Sequence, residues 1–308
     1  MTSNLENPIF TDADKAREAL EAVRWPNGPF CPHCGVAENI AAVSGNKHRP
    51  GLYYCNACKG TFTVTVGTVF ERSKIPLNKW WLAVFLLSSS KKGISSHQLH
   101  RSLGVTYKTA WFMSHRIREA MRDGLLDIPP MGGRGKVVEA DETYIGRKKG
   151  RKVRSGTGHK HAVMTLVQRG GKARSFHVAS TEVDTVMPLI RANIAKESKL
   201  ATDEAGHYIT VGADFREHLT VNHSKEEYVR GEAYTNTVEG FFSIFKRGMK
   251  GIYQHCSENH LHRYLAEYDF RYNNRTALGV DDAQRTANAM KGIEGKRLTY
   301  RRSRFRAN

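Results

Sequence analysis

Residues 137–146 read Val-Val-Glu-Ala-Asp-Glu-Thr-Tyr-Ile-Gly, and the reading of this stretch decides the fold. Val137 and Val138 open a β-branched run that predicts a strand over 136–145, with Asp141 inside it. The two-residue period of a strand puts Glu139 and Asp141 on one face and Glu142 on the other. Downstream the pattern alternates. Strands are predicted at 160–168 and 173–179, a helix at 182–197, strands at 199–203 and near 218–222, and helices at 236–249 and 258–274. That order reads as an α/β unit: a mixed sheet with flanking helices, without internal repeats.

Two further acids occupy mechanically meaningful places. Asp203 closes the strand Leu-Ala-Thr-Asp, and Glu239 falls in the first turn of the helix that begins near Thr235-Asn236-Thr237. A strand-borne Asp, a strand-end Asp and a helix-borne acid are the layout of an RNase H-like core. In such a core the carboxylates hold two divalent cations about 4 Å apart for phosphodiester chemistry. Hard Mg²⁺, with Mn²⁺ as substitute, suits oxygen ligands, and like charges gathered so closely make sense mainly with cations bound. Glu139 and Glu142 beside Asp141, Glu204 beside Asp203, and Glu232 before Glu239 are the alternative ligands; singly, each acid reads as surface charge. Asn236, Glu239 and Lys246 share one helix face, from which Lys246 would aim an ammonium at a phosphate; a solvated helix charge is the other reading. An anion near a helix N-terminus is also mildly favoured.

Ahead of this unit, Cys31, Cys34, Cys55 and Cys58 form two Cys-x-x-Cys knuckles, with Pro32, Gly35 and Gly60 as turn residues. Four thiolates in this spacing predict a closed tetrahedral Zn²⁺ site, a zinc ribbon, which is structural rather than catalytic. Disulfides or a redox pair are the alternatives. The expected reducing compartment, with no signal peptide, argues against the first, and the doubling of the motif against the second. Cys256 reads as an ordinary reduced thiol. Tyr53, Tyr54, Phe62, Val64, Val66 and Val69 alternate as strand, and a short helix with Leu20 and Val23 on one side precedes the ribbon.

A helix at 77–90 carries Trp80, Trp81, Phe85 and Leu86 and stops at Lys91-Lys92-Gly93. Ser95 and Gln98 form a capping box for a second helix with Ile94, Leu99 and Leu103 on its apolar face. Gly104-Val105 makes a turn, and a third helix over 106–121 sets Ala110, Met113, Ile117 and Ala120 at helical spacing. This is a helix-turn-helix pattern, with a plain helical hairpin as the alternative. Its last helix would present Tyr107, Lys108, Trp111, His115 and Arg116 outward to DNA. Pro129-Pro130 and Gly132-Gly133-Arg134-Gly135 mark a linker over 123–136.

The formal net charge of +18 favours a polyanion, and nucleic acid is the usual one. The surplus is clustered. Arg147, Lys148, Lys149, Arg151, Lys152 and Arg154 crowd one loop, and Lys291, Lys296, Arg297, Arg301, Arg302, Arg304 and Arg306 fill the C-terminal stretch. The apolar run from Trp80 to Leu87 is far short of the roughly 20 residues that a bilayer helix needs, so a cytoplasmic protein is expected.

On these residues the chain resembles bacterial insertion-sequence DDE transposases with an N-terminal zinc ribbon. The matching segments are Cys-Pro-His-Cys-Gly (31–35), Tyr-Tyr-Cys-Asn-Ala-Cys (53–58), Asp-Glu-Thr-Tyr-Ile-Gly (141–146), Thr-Asn-Thr-Val-Glu-Gly-Phe-Phe (235–242), Phe-Lys-Arg-Gly (245–248) and Phe-Arg-Tyr-Asn-Asn-Arg (270–275). The resemblance implies Asp141, Asp203 and Glu239 as a catalytic triad, with Lys246 and Asn236 as auxiliaries. One departure is Tyr234, where the resemblance calls for a histidine; His223 upstream is in place. The resemblance covers about residues 25–276, and the expected organisation of the chain is a helical segment (1–27), zinc ribbon (28–70), helix-turn-helix (76–122), linker (123–136), RNase H-like catalytic domain (137–276) and basic tail (277–308). The implied activity is binding of the terminal inverted repeats, cleavage of the 3′ ends and their transfer to target DNA, in a dimer or larger assembly. A DNA-binding repressor and a hydrolytic nuclease on the same core are the alternatives.

Overall fold

The fifth strand of the chain is apolar on both faces, so that its even and odd positions serve two different cores of the larger unit. A computed structural model describes residues 5–45, 47–123, 128–153, 155–221 and 229–299. The chain divides into two units, one of Met1–Ser90, Ile94–Arg122 and Asp281–Asn308, the other of Lys91–Gly93 and Asp123–Val280.

In the first unit, α1 (Pro8–Thr11) and α2 (Ala13–Arg24) replace the single expected helix. Asp12 breaks it: its backbone is extended and its carboxylate accepts the N–H groups of Asp14 and Lys15, capping α2. Three short antiparallel strands follow, β1 (Ile40–Ala42), β2 (Tyr53–Cys55) and β3 (Thr61–Phe62), with Ile40 opposite Cys55 and Tyr53 opposite Phe62. The Trp25 ring stands edge-on to Tyr53 and Phe62, with centroids 5.3 and 5.9 Å away. The expected strand through Val69 stops at Phe62 because the chain turns at once: the Val66 N–H donates to Thr63 O, and further on the Thr68 hydroxyl donates to Thr65 O and accepts the Phe70 N–H.

The helices α3 (Leu77–Ser89), α4 (Ser96–Leu103) and α5 (Tyr107–Met121) match their expected places. The Ser95 hydroxyl accepts the Gln98 N–H at 3.1 Å, Gly104 closes α4 in the left-handed conformation (φ 59°), and Thr106 caps α5.

The second unit holds β4 (Val137–Ile145), β5 (His161–Gln168), β6 (Ala173–Val178), α6 (Val183–Asn193), β7 (Lys199–Thr202), α7 (Gly206–Gly212), β8 (Glu217–Thr220), α8 (Asn236–Gly248) and α9 (Glu258–Asn273). The sheet order is β6-β5-β4-β7-β8, antiparallel among β6, β5 and β4 and parallel among β4, β7 and β8. This is the RNase H-like mixed sheet. On one face Val138, Ala140, Ala162, Met164, Leu166 and Leu200 pack against Val186, Ile190, Tyr208 and Val211 of α6 and α7. On the other, Ile145, Val163 and Val167 pack against α8 and α9 through Val238, Phe241, Phe245, Leu261, Leu265 and Tyr268. Burial on both faces makes β5 a nearly continuous apolar run.

The open edge of β6 is covered by polar groups of α9. Asn273 accepts the Ala173 N–H at 2.6 Å and donates to its carbonyl at 2.9 Å, while Asp269 accepts from the Ser175 N–H and hydroxyl. Gly248 is obligatory at the end of α8, since a Cβ there would meet the Tyr268 hydroxyl at 1.7 Å.

The stretch expected as a basic tail over 277–308 is not simply a tail. It contains α10 (Asp282–Lys291), capped by Asp281, and this helix returns to the first unit, against α3. Thr286, Ala289, Met290 and Ile293 are buried there, and Glu294 pairs with Arg24 at 3.2 Å. Its apolar face explains the difference: the basic residues are interleaved with enough buried surface to dock. Arg301, Arg302, Arg304 and Arg306 lie outside the described residues, as do Arg154 and His223. Among the described residues, no helix is long and apolar enough to cross a membrane.

Candidate active site

Strand β4 carries Asp141 on the face that α8 and α9 cover, opposite Thr165 of β5. Burial pushes its carboxyl up to about 8, and the charges of Glu142, Asp203 and Glu239 push the same way; the Glu142 N–H, 2.7 Å from its Oδ1, partly opposes them. Asp203 follows the last residue of β7, and its Oδ1 accepts the Ala205 N–H at 3.0 Å. Glu239 lies in the first turn of α8, exposed, with its Oε1 accepting the Thr235 hydroxyl at 2.9 Å. Parallel pairing of β4 with β7 brings the first two acids near each other, and α8 adds the third.

Glu139, two residues before Asp141 on the same strand face, is fully buried in a different environment. Its Oε1 accepts from Arg169 Nε at 2.6 Å and the Thr237 hydroxyl at 2.8 Å, and its Oε2 accepts the N–H groups of Thr237 and Val238, both at 2.9 Å. Those N–H groups belong to the first turn of α8 and have no partner within the helix. Glu139 thus caps α8 from another element, and its negative charge also meets the positive end of the helix dipole. All four lone-pair directions are committed, which leaves Glu139 no oxygen for a metal. Arg169 reaches on to the carbonyls of Glu232 and Tyr234 at 2.8 and 2.7 Å, and its guanidinium lies 3.4 Å from the Tyr234 ring centroid. Tyr234, the departure from the expected histidine, is the stacking platform of this arginine. Glu232 is exposed and paired with Lys199, which lowers its pKa.

On α8, Val238, Phe241, Phe242 and Phe245 face the core, whereas Asn236 and Glu239 are exposed and Lys246 is half-buried with its ammonium 5.9 Å from the Phe242 ring. Glu142 points to the other sheet face. There Tyr208 of α7, fully buried, is held far above the usual phenol range, by burial first and then by Glu142, Asp141 and Asp203. Sequence pattern missed Arg169, Thr235 and Tyr208. Only contacts between distant segments single them out.

The acids fit divalent cations on chemical grounds. Asp141 has three carboxylates nearby and no cationic partner among the causes of its shift, so a cation would relieve the repulsion. Among the described residues, the groups of three or more ligand atoms within 4.8 Å of one another are the four cysteines and a set of His161, His177 and Glu258. Asp141, Asp203 and Glu239 are near one another but not gathered that tightly, as expected of like charges.

The cysteines form the second centre. Cys31 and Cys58 sulfurs are 3.6 Å apart, and those of Cys34 and Cys55 3.7 Å, all as free thiols. A tetrahedron with Zn–S bonds of about 2.3 Å has edges of about 3.8 Å, so the cluster matches structural zinc. The Cys58 N–H lowers Cys55, which with the Ala57 N–H and neighbouring thiols comes to about 7, whereas Cys34 is raised and Cys58 is pushed up to about 12, so the crowded thiols do not all ionise unless a cation is bound.

The helix expected to meet DNA is only partly outward. Tyr107 is exposed, its ring stacked on His97 at 4.3 Å, and Lys108 is exposed, while Trp111 is half-buried. His115 and Arg116 are buried instead, which corrects the expectation that they face outward. Arg116 donates to the carbonyls of Leu298 and Glu71, because the segment after α10 covers this side of α5. In the basic loop, Arg147, Lys149, Arg151 and Lys152 are exposed and Lys148 is half-buried. The loop is held by the Lys148 N–H on His159 O at 2.8 Å and by Arg147 Nε on Arg151 O at 3.0 Å.

A family model described as an ISXO2-like transposase domain matches residues 132–273, and one described as a transposase zinc-ribbon domain matches residues 11–61. An uncharacterized protein in transposable element ISH50 of Halobacterium salinarum is 31% identical over 281 residues, covering 85% of this chain and 91% of that protein. An uncharacterized transposase-like protein of Haemophilus influenzae is 26% identical over 103 residues, which is 33% of this chain and 82% of that protein.

Proposed function

The chain belongs to the ISXO2-like transposase family with a zinc-ribbon domain, and from that premise we propose that it cuts the 3′ ends of an insertion sequence and joins them to target DNA. The observation that carries the reading is the meeting of acids from three elements, Asp141 on β4, Asp203 just after β7 and Glu239 on α8, in a setting whose burial and neighbouring carboxylates raise the Asp141 carboxyl to about 8. A half-buried acid surrounded by acids is costly unless the site works with cations. Asp141, Asp203 and Glu239 would hold two Mg²⁺ ions, or Mn²⁺, which activate the attacking oxygen and neutralise charge at the leaving one.

The chain's own groups do the positioning. Thr235 orients the Glu239 carboxylate, and Glu139 with Arg169 fixes the start of α8, and so the place of Glu239 and Asn236. Lys246, seven residues along the same helix face, offers its ammonium to a DNA phosphate. Tyr107 and Lys108 of α5, with the basic loop at 147–152, would bind the duplex mainly through phosphates, and the ribbon would position that grip. Two ends meeting one target imply a dimer or larger assembly on DNA. The thiolates that zinc needs are kept by a reducing cytoplasm, where the chromosome also lies.

The test incubates labelled element ends and a target plasmid with Mg²⁺ and compares the wild type with Asp203→Ala and Glu239→Ala. Joined products are expected from the wild type alone, with end binding retained in both variants. Joining by either variant would overturn the triad, and binding without any cleavage by the wild type would make the protein a repressor. Hydrolysis without joining would make it a nuclease.

A further inference from the structure

The second group of ligand atoms belongs to neither the carboxylate centre nor the ribbon. His161 begins β5, and His177 lies on β6, where it pairs with Val163. The strand period therefore puts the two imidazoles diagonally on one sheet face. Glu258, the first residue of α9, completes the set from the helix that covers that face. The ring centroids of the histidines are 5.4 Å apart, and His161 Nδ1 lies 4.0 Å from Glu258 Oε1. One ligand atom from each residue falls within 4.8 Å of the others.

His161 supplies the independent sign of a ligand. It is only 3% exposed, and its buried Nδ1 makes no hydrogen bond, although buried polar atoms almost always find a partner. Such an orphan is costly, and a cation shared with Glu258 and His177 would remove it. Beside it is a cavity of about 320 Å³ that His161 lines together with Lys160, Lys250, Gln254 and Cys256. His161 pairs with Ile145, four residues along β4 from Asp141, or about 13 Å at strand rise, so this is a separate place on the sheet.

We infer that His161, His177 and Glu258 form a binding site for a zinc-class divalent cation, with its open position toward the cavity. Two imidazoles and one carboxylate suit Zn²⁺ or another first-row ion far better than Mg²⁺. Ligand atoms about 2.0–2.2 Å from a tetrahedral metal lie roughly 3.3–3.6 Å apart, so the set must tighten by about 1 Å. The exposed Glu258 side chain at a helix start can supply that movement. The site would fasten the start of α9 to β5 and β6, while Lys160 and Lys250 favour water ionised to hydroxide, or another anion, as the fourth ligand.

The experiment measures zinc by mass spectrometry in the full chain after equilibration in buffered Zn²⁺. Two equivalents are expected for the wild type and one for His177→Ala, with second-site affinity in Glu258→Gln weakened at least about tenfold. These two residues are less buried than His161, so their variants should fold, which near-ultraviolet circular dichroism checks. Cobalt substitution separates the sites: thiolate charge-transfer bands report the ribbon and should persist in both variants, whereas a weaker visible band should vanish in His177→Ala. One equivalent in the wild type, or two retained in His177→Ala, would overturn the assignment.

Discussion

The capping of α8 by Glu139 makes a quantitative prediction. Glu139→Gln keeps the shape of the side chain but removes its charge, and its new NH₂ group must face either the Arg169 guanidinium or the donors of α8. The side chain is fully buried and engages four donors, one of them Arg169 at 2.6 Å. Breaking a buried pair by neutralising one partner costs about 3–5 kcal/mol, of which the helix-end charge accounts for up to about 2. At about 2–4 °C per kcal/mol for a unit of roughly 150–250 residues, the transition should fall by about 6–20 °C. Calorimetry is the assay, and tryptophan fluorescence is the control. Trp25, Trp80, Trp81 and Trp111 all belong to the first unit, so their transition should move less. The double variant Glu139→Leu, Arg169→Met separates pair from cap. It removes both charges, yet leaves the Thr237 and Val238 N–H groups without an acceptor, so it should recover less than half the loss. A loss below about 1 kcal/mol in Glu139→Gln, or full recovery in the double variant, would refute the capping argument.

Four other perturbations test the remaining assignments. Lys108→Ala should weaken DNA binding, and lower the slope of log affinity against log salt by about 1, at unchanged thermal stability. Arg116→Ala should instead destabilise by about 1–3 kcal/mol, since it strands the carbonyls of Glu71 and Leu298; a calorimetric shift for Lys108→Ala and none for Arg116→Ala would reverse the two roles. Chelating zinc should abolish specific end binding in gel shifts while the circular dichroism of the mixed sheet survives, and collapse of both signals together would deny the ribbon its separate role. The folded pKa of Asp141, about 8, lies above its ordinary 3.8, so the acid contributes stability below about pH 4 that is lost as pH rises toward 8. Metal-free wild type should therefore lose stability relative to Asp141→Asn over that window, by at most about 6 kcal/mol at 1.36 kcal/mol per unit, and Mg²⁺ should restore more at pH 8 than at pH 5. Parallel denaturation curves for the two proteins across that range would remove the buried-acid argument.

The elements of the mixed sheet and the pairs of Cys-x-x-Cys were legible in the sequence because each is a local pattern. The apolar run along 160–168 needs only neighbouring residues to be read, and so do Ser95 as a cap and Gly104 as a helix stop. What stayed hidden depends on partners far along the chain. Glu139 and Thr237 are 98 positions apart, and Arg116 and Leu298 are 182 apart, so no spacing rule joins them. His115 and Arg116 looked outward because helical periodicity gives faces without saying what covers them, and α10 was hidden among basic residues. Glu139 and Asp141 show the limit most clearly. They share a strand face, both are acids, and pattern alone could offer either as the ligand. Their environments divide the work. Glu139 meets a guanidinium and the positive end of a helix, so it is satisfied as an anion without any metal. Asp141 meets Glu142, Asp203 and Glu239, so its charge is costly until something positive arrives. The acid that is uncomfortable in the metal-free fold is therefore the better candidate for chemistry, and the comfortable one holds the helix that brings Glu239 to it.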